Sequence, residues 1–159
     1  DLGTKDMART RAFYEGVLGF PLVRADEIDV AGRGTMKHYF FDAGGRQLIG
    51  FMSGEAVDGF PKDFDSSINK GLGLPPGVYH FAFDAETEHD LERIKAHLVS
   101  QGVEVRGPVD HVGWCKSIYF RDPNGLQLEV CWLQRPFDAD DAVPRVRFRL
   151  EGRRKIELS

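Results

Sequence analysis

The stretch "VDHVGWCKSIYFRDPNGLQLEVC", residues 109–131, decides how this chain is read. Its centre is a turn. Pro123 presets φ, and Asn124 and Gly125 tolerate positive φ. The flanking segments "CKSIYFRD" and "LQLEVCW" alternate as strands do, so together they make a hairpin. Alternation turns Glu129 inward with Gln127 and Cys131, and a carboxylate there is costly unless something pairs with it. The opposing reading is an edge strand with Glu129 in water. His111 and Tyr119 precede Glu129 in the same segment. Either these three are ordinary polar residues of a hairpin, or they all face one cavity.

Moving outward, the hairpin is the end of a pattern that occurs twice. "TKDMARTRAFYEGVLGF" predicts a helix capped by Thr4 or Asp6, with a stripe of Met7, Phe13, Val17 and Leu18 and a stop at Gly19. Strands "PLVRADEIDV", "TMKHYFFDA" and "QLIGFM" follow, the last two joined through Gly44-Gly45. The second copy begins with "VYHFAFDA". A helix capped by a Thr87–Asp90 box comes next, with a stripe of Leu91, Ile94, Leu98 and Val99 and a stop at Gly102. "VEVRGPVD" and the hairpin complete it. Between equivalent positions the offset is near 80: Gly102 − Gly19 is 83, Gly125 − Gly45 is 80 and Phe120 − Phe41 is 79. The chain is therefore an α+β protein of two tandem βαβββ modules, whose pairing would leave a cup. Boundaries fall at 1–53 for the first module (its first strand truncated), 54–76 for a Gly/Pro/Ser-rich connector or lid, 77–133 for the second module and 134–159 for a C-terminal extension.

The repeat also locates chemistry. His80 opens the first strand of copy two, and its counterpart falls about three positions before Asp1. The counterpart of Glu129 falls at Ile49-Gly50, so copy one carries no carboxylate there.

"DMARTRAFYEGVLGF", "VYHFAF" and "SIYFRDPNGLQLEV" resemble the vicinal oxygen chelate superfamily of glyoxalases, bleomycin-resistance proteins and extradiol dioxygenases, over most of residues 1 to 133. "VDHVGWCKSIYFRDPNGLQLE" is most similar to the type I extradiol ring-cleavage dioxygenases. The resemblance implies a cup-shaped mixed sheet around a metal held by His80, Glu129 and a histidine just upstream of Asp1. Such a 2-His-1-carboxylate set suits Fe(II), with Mn, Ni, Zn or Co as alternatives. It also implies His111 and Tyr119 as the groups that handle protons, on a substrate with adjacent oxygens. The acid/base histidine of the ring-cleaving enzymes is missing, since "GGRQLIGF" offers Arg46 and Gln47 instead. Two further functions stay open: a glyoxalase- or epimerase-like isomerase or lyase, and a metal-free binding or resistance protein that sequesters an aromatic ligand.

Composition limits the rest. The 159 residues carry a net charge of −4, which gives no reason to expect nucleic acid binding, and no apolar run is long enough to span a membrane. Cys115 and Cys131 are read as reduced thiols of a cytoplasmic protein. The basic C-terminal run is read as a solvated strand or tail. His38 lines the cup or faces water; His89 and His97 fall off the apolar stripe of their helix and are expected at the surface. Trp114, Phe60 and Phe64 are either an apolar wall of the cup or ordinary packing. A homodimer is a possible assembly.

Overall fold

Asp6 starts the first helix. In the computed structural model of the protein, which describes residues 1–144, its carboxylate accepts the Arg9 backbone N–H at 2.9 Å. Helix α1, Met7–Arg11, continues as a π-helical turn over Ala12–Val17 and stops where Gly19 takes φ +72°. The wider turn shifts the phase of the helix by a fraction of a residue. Tyr14, which is not in the predicted stripe, is thereby fully buried, with its ring 4.7 Å from Phe51 and 5.6 Å from Phe41.

The first module comprises β1 (Leu2–Gly3), α1, β2 (Leu22–Asp29), β3 (Gly34–Asp42) and β4 (Leu48–Val57), in the sheet order β1-β4-β3-β2. The second comprises β5 (His80–Asp84), α3 (Glu88–Ser100), β6 (Arg106–Asp110), β7 (Cys115–Arg121) and β8 (Gln127–Leu133), in the order β5-β8-β7-β6. In each sheet the first strand runs parallel to the last and the other pairs are antiparallel. The two orders are the same pattern written twice. Thr87 caps α3 as the sequence predicts, accepting the Asp90 N–H and donating to its carboxylate. Val99 does not belong to the buried stripe: it is exposed, while Leu91 and Leu98 are buried.

Strand β4 runs to Val57, past the Met52 at which the sequence pattern fades. Ser53 and Gly54 lack the apolar signal of a strand, but the Phe60 ring lies so close over Gly54 that a Cβ there would meet it at 2.4 Å. The connector thus covers the strand end by folding an aromatic back onto a glycine. Farther on, the short helix α2, Ile68–Gly71, holds Asn69, whose side chain bonds both the N–H and the carbonyl of Tyr79 at 2.8 and 2.7 Å. That clamp fixes the entry into β5.

One core joins the modules. Phe13 meets Phe120 at 6.5 Å, Phe20 meets Phe83 at 5.1 Å, and the Tyr14 hydroxyl donates to Asp122 at 3.1 Å. The Asp-Pro-Asn-Gly turn is more than a register device. Asp122 accepts the Asn124 and Leu126 N–H groups at 2.8 and 2.9 Å, and the Asn124 side chain lies 2.7 Å from the Thr4 hydroxyl and 3.2 Å from that of Thr10. Among the described residues no strand of one sheet pairs with the other, and β1 and β5 are edge strands. The basic run 145–159 lies outside the described residues.

Candidate active site

Strand register places the site residues on one face of the second sheet. Phe120 and Ile118 point to the core, so their neighbour Tyr119 points the other way, directly across from Glu129. On the opposite side of β8, β5 pairs in parallel with Ala82 against Glu129, which leaves His80 one step along the same face. His80 Nε2 lies 2.9 Å from Glu129 Oε2. Glu129 is buried and His80 is exposed, and the structure brings these two groups together.

The chemistry of this contact is informative. His80 Nδ1 lies 2.9 Å from the Gly77 carbonyl, which can only accept, so Nδ1 carries a hydrogen. In the neutral ring Nε2 is then a lone pair facing a carboxylate oxygen. Two such groups at hydrogen-bond distance share either a proton or a metal ion. An imidazole turned by a backbone carbonyl toward a carboxylate is the orientation that metal-ligating histidines adopt. The donor set therefore fits a divalent ion, as two of its ligands. Among the described residues no third His, Cys, Asp or Glu joins them.

His111 and Tyr119 form a second pair, with Nε2 and the phenol oxygen 2.8 Å apart. His111 follows β6 in a loop closed by its own N–H to the Cys115 carbonyl at 2.8 Å. Burial raises the Tyr119 pKa above its ordinary value and the Glu129 carboxylate adds to that, so the phenol stays protonated at neutral pH. Trp114 stands 5.9 Å from His111, and Phe137 of the C-terminal extension 5.5 Å from Trp114, giving this end of the face an apolar wall.

The register sharpens the repeat. Glu129 faces Tyr119 and Gly50 faces Phe40, an offset of 79 in both (129 − 50, 119 − 40), so Gly50 is the counterpart of Glu129. Leu2 pairs with Phe51 as Phe83 pairs with Val130, and His80 lies three residues before Phe83; its counterpart is therefore two positions ahead of Asp1.

The sequence pattern of the Glyoxalase/Bleomycin resistance protein/Dioxygenase superfamily matches residues 1–130. The chain belongs to this superfamily. Solved structures with the same fold include a glyoxalase family protein from Enterococcus faecalis, 27% identical over 81% of this chain and 90% of that one, with a TM-score of 0.57. An integron cassette protein from the mobile metagenome of Halifax Harbour sewage outfall is 28% identical over 83% and 93%, with a TM-score of 0.55. The fosfomycin resistance protein FosX of Listeria monocytogenes is 21% identical over 82% and 87%, TM-score 0.57, and has also been solved with Mn(II). No curated protein matches the chain.

Within the superfamily's two-module frame, one pair was not anticipated. Asp1 Oδ1 lies 3.0 Å from His38 Nε2, across the space that Gly50 leaves open. The sequence signal was Gly50 itself, a residue without a side chain where the other copy has a glutamate. His89 and His97 are exposed, as expected, though His97 Nε2 also reaches the Val17 carbonyl at 2.9 Å. Arg46 and Gln47 are exposed in the turn before β4.

The two thiols are free. Burial, with Glu129 adding, pushes Cys131 up to about 11, and burial raises Cys115 as well. The thiolate is the reactive form, so Cys131 should alkylate on the order of a hundredfold more slowly than an ordinary thiol at pH 7.5. Iodoacetamide labelling followed by mass spectrometry checks this, with both cysteines reacting fully only after denaturation.

Proposed function

We propose that the protein is a metal-dependent enzyme that acts on a small substrate with two adjacent oxygens, by extradiol-type ring cleavage. The observation that carries this reading is the His80–Glu129 pair, with the His111–Tyr119 pair on the same face and Tyr119 directly across from Glu129. His80 and Glu129 would hold the ion, together with a histidine at the counterpart position ahead of Asp1. Gly50, where a fourth protein ligand would otherwise stand, favours a three-ligand site. The chemistry a divalent ion would supply when held there, most suitably Fe(II), is Lewis acidity toward the substrate.

The chain's own groups do the rest. His111 Nε2, in contact with the Tyr119 phenol, can take the proton that a substrate hydroxyl releases through that phenol. Tyr119, kept neutral by burial, can donate to a substrate oxygen as negative charge develops on it. Trp114, beside His111, gives a substrate ring an apolar neighbour at this end.

The open strand edges support assembly as a homodimer. Val78, Tyr79 and Phe81 are exposed at the start of β5, and an unpaired edge with apolar side chains is a surface that seeks a partner. Placing β1 of one chain beside β5 of another would bring the open face of the first module opposite the site of the second.

Dioxygen uptake by Fe(II)-loaded protein, on a panel of catechols, tests the reaction. Uptake coupled to ring opening is expected, with Tyr119→Phe lowering kcat by about a hundredfold, the usual range for loss of one proton-handling group. A bound metal with no uptake on any diol would replace ring cleavage with isomerase or lyase chemistry.

A further inference from the structure

The second sheet opens at one corner. Strand β6 meets β7 through the Arg106–Tyr119 pair, and before Arg106 the chain leaves the sheet, so Phe120 and Arg121 of β7 have strand partners on β8 alone. Gly107 lets the strands come close next to that pair: its φ is +108°, and a Cβ there would stand 2.6 Å from the Ser117 carbonyl oxygen. The gap is a cavity of about 530 Å³, a size that suits a small organic ligand. Val103, which packs on the core, and the buried Phe13 and Phe120 rings form the apolar part of its wall.

Positive charge is concentrated at this cavity. Arg9 of α1, Arg106 of β6 and Arg121 of β7 all line it, in a chain whose net charge is −4. Arg11, Arg24, Arg93 and Arg135 are ion-paired; among the described residues Arg9, Arg106 and Arg121 have no carboxylate at that distance. Two acidic residues share the wall. Asp122 is buried, with its oxygens taken up by the Asn124 and Leu126 N–H groups and the Tyr14 hydroxyl, which leaves Glu104 against three guanidinium groups. Register turns Arg106 and Arg121 to the face of Tyr119, since Arg106 is its partner across the strands and Arg121 is two residues on. The Arg106 guanidinium lies 5.3 Å from the centre of the Tyr119 ring, a cation–π contact that holds it in place and leaves its N–H donors free.

We infer that this cavity takes the carboxylate of a small acid with an apolar body, held by Arg106 and Arg121. A guanidinium offers two parallel N–H groups at the spacing of the two carboxylate oxygens, and a single negative charge suits a rim where Glu104 already offsets part of the positive charge. The wall of Phe13, Val103 and Phe120 receives the body. In the sheet Tyr119 stands between Arg106 and Glu129, which are two strand spacings, or about 10 Å, apart. The acid is therefore either a separate molecule beside the site or a substituent of what binds at Glu129. Binding needs no metal; only the choice between these two sources rests on the proposed function.

Benzoate titrated into metal-stripped protein tests binding, with the arginine Nε–Hε signals followed by NMR. Two signals, assigned through Arg106→Gln and Arg121→Gln, should shift, and benzamide, which has the same shape without the charge, should shift neither. Inorganic phosphate, which has no apolar body, should bind more weakly than benzoate. Each variant should weaken benzoate about tenfold, the loss of a hydrogen bond between charged partners. Arg33→Gln, which removes the same charge from the turn between β2 and β3, should leave it unchanged. All three arginines are exposed, so the fold is spared. Unmoved arginine signals, benzamide or phosphate binding as tightly as benzoate, or full affinity in both variants would overturn the inference. A second arm finds the source, and either result keeps the carboxylate at the arginines. For a substituent, 3,4-dihydroxybenzoate competes with benzoate and binds Mn(II)-loaded protein more tightly than catechol does, a preference that Arg106→Gln abolishes. For a separate acid, benzoate and catechol bind together without competing. A chain that held no metal at His80 and Glu129 would still bind benzoate, so the two readings fail separately.

Discussion

Replacing Asp122 with alanine should unfold the protein far more readily than its position in a surface turn would suggest. The carboxylate is buried and receives the Asn124 and Leu126 backbone N–H groups, the Asn124 amide and the Tyr14 hydroxyl. Alanine strands two backbone donors and a buried phenol, each costing about 1–3 kcal/mol. A loss on the order of 3 kcal/mol is expected, and at this chain length about 9 °C of melting temperature. Thermal denaturation followed by circular dichroism reads it directly. The pH dependence carries a signature. Burial raises the Asp122 pKa, opposed only in part by the groups that bond it, so the folded state holds this proton more tightly than the unfolded chain does. The share of its stability that comes from this proton is present in full below the ordinary carboxyl range and is lost as pH rises through the raised value, while the hydrogen bonds it accepts remain. The stability gap between wild type and Asp122→Ala should therefore narrow over that interval. A gap that widened would mean that ion pairing, not burial, sets the state of Asp122.

Much of the fold was legible because it is written twice. Caps at Asp6 and Thr87, glycine stops at Gly19 and Gly102, and hairpin turns near Gly45 and Gly125 are local devices, and local devices leave local signals. The inward direction of Glu129 was equally legible, since alternation against Leu128 and Val130 allows few other answers. Residues that act across the chain were not. Tyr14 and Asp122 are 108 positions apart, and neither segment carries a mark of the other. The π-helical turn that buries Tyr14 has no sequence signature of its own. Asp1 and His38 meet only because two strands flank a third that has a glycine at the right level. The end of β4 was hidden for a related reason, as Gly54 reads as a breaker until Phe60 is seen to lie on it.

The second large effect concerns the ion. His80 is aimed by the Gly77 carbonyl, and its free nitrogen meets a Glu129 oxygen that is otherwise buried. If both are ligands, removing either should abolish tight binding, because even groups that merely orient ligands cost about ten- to a hundredfold when lost. Glu129→Gln keeps the shape and withdraws the charge; His80→Ala withdraws the nitrogen and leaves the carboxylate without its partner. Both should spare the fold, since the core lies on the other face of the sheet. Loss of affinity without loss of helical signal separates ligation from structure.

Mn(II) titration of metal-stripped protein, with free ion counted by electron paramagnetic resonance, asks this most directly. One tight site per chain is predicted for wild type and for Cys131→Ser, and a weakening of more than about a hundredfold for His80→Ala and for Glu129→Gln. Equal affinity in all four proteins, or no tight site in wild type, would contradict the assignment of these two side chains to a metal.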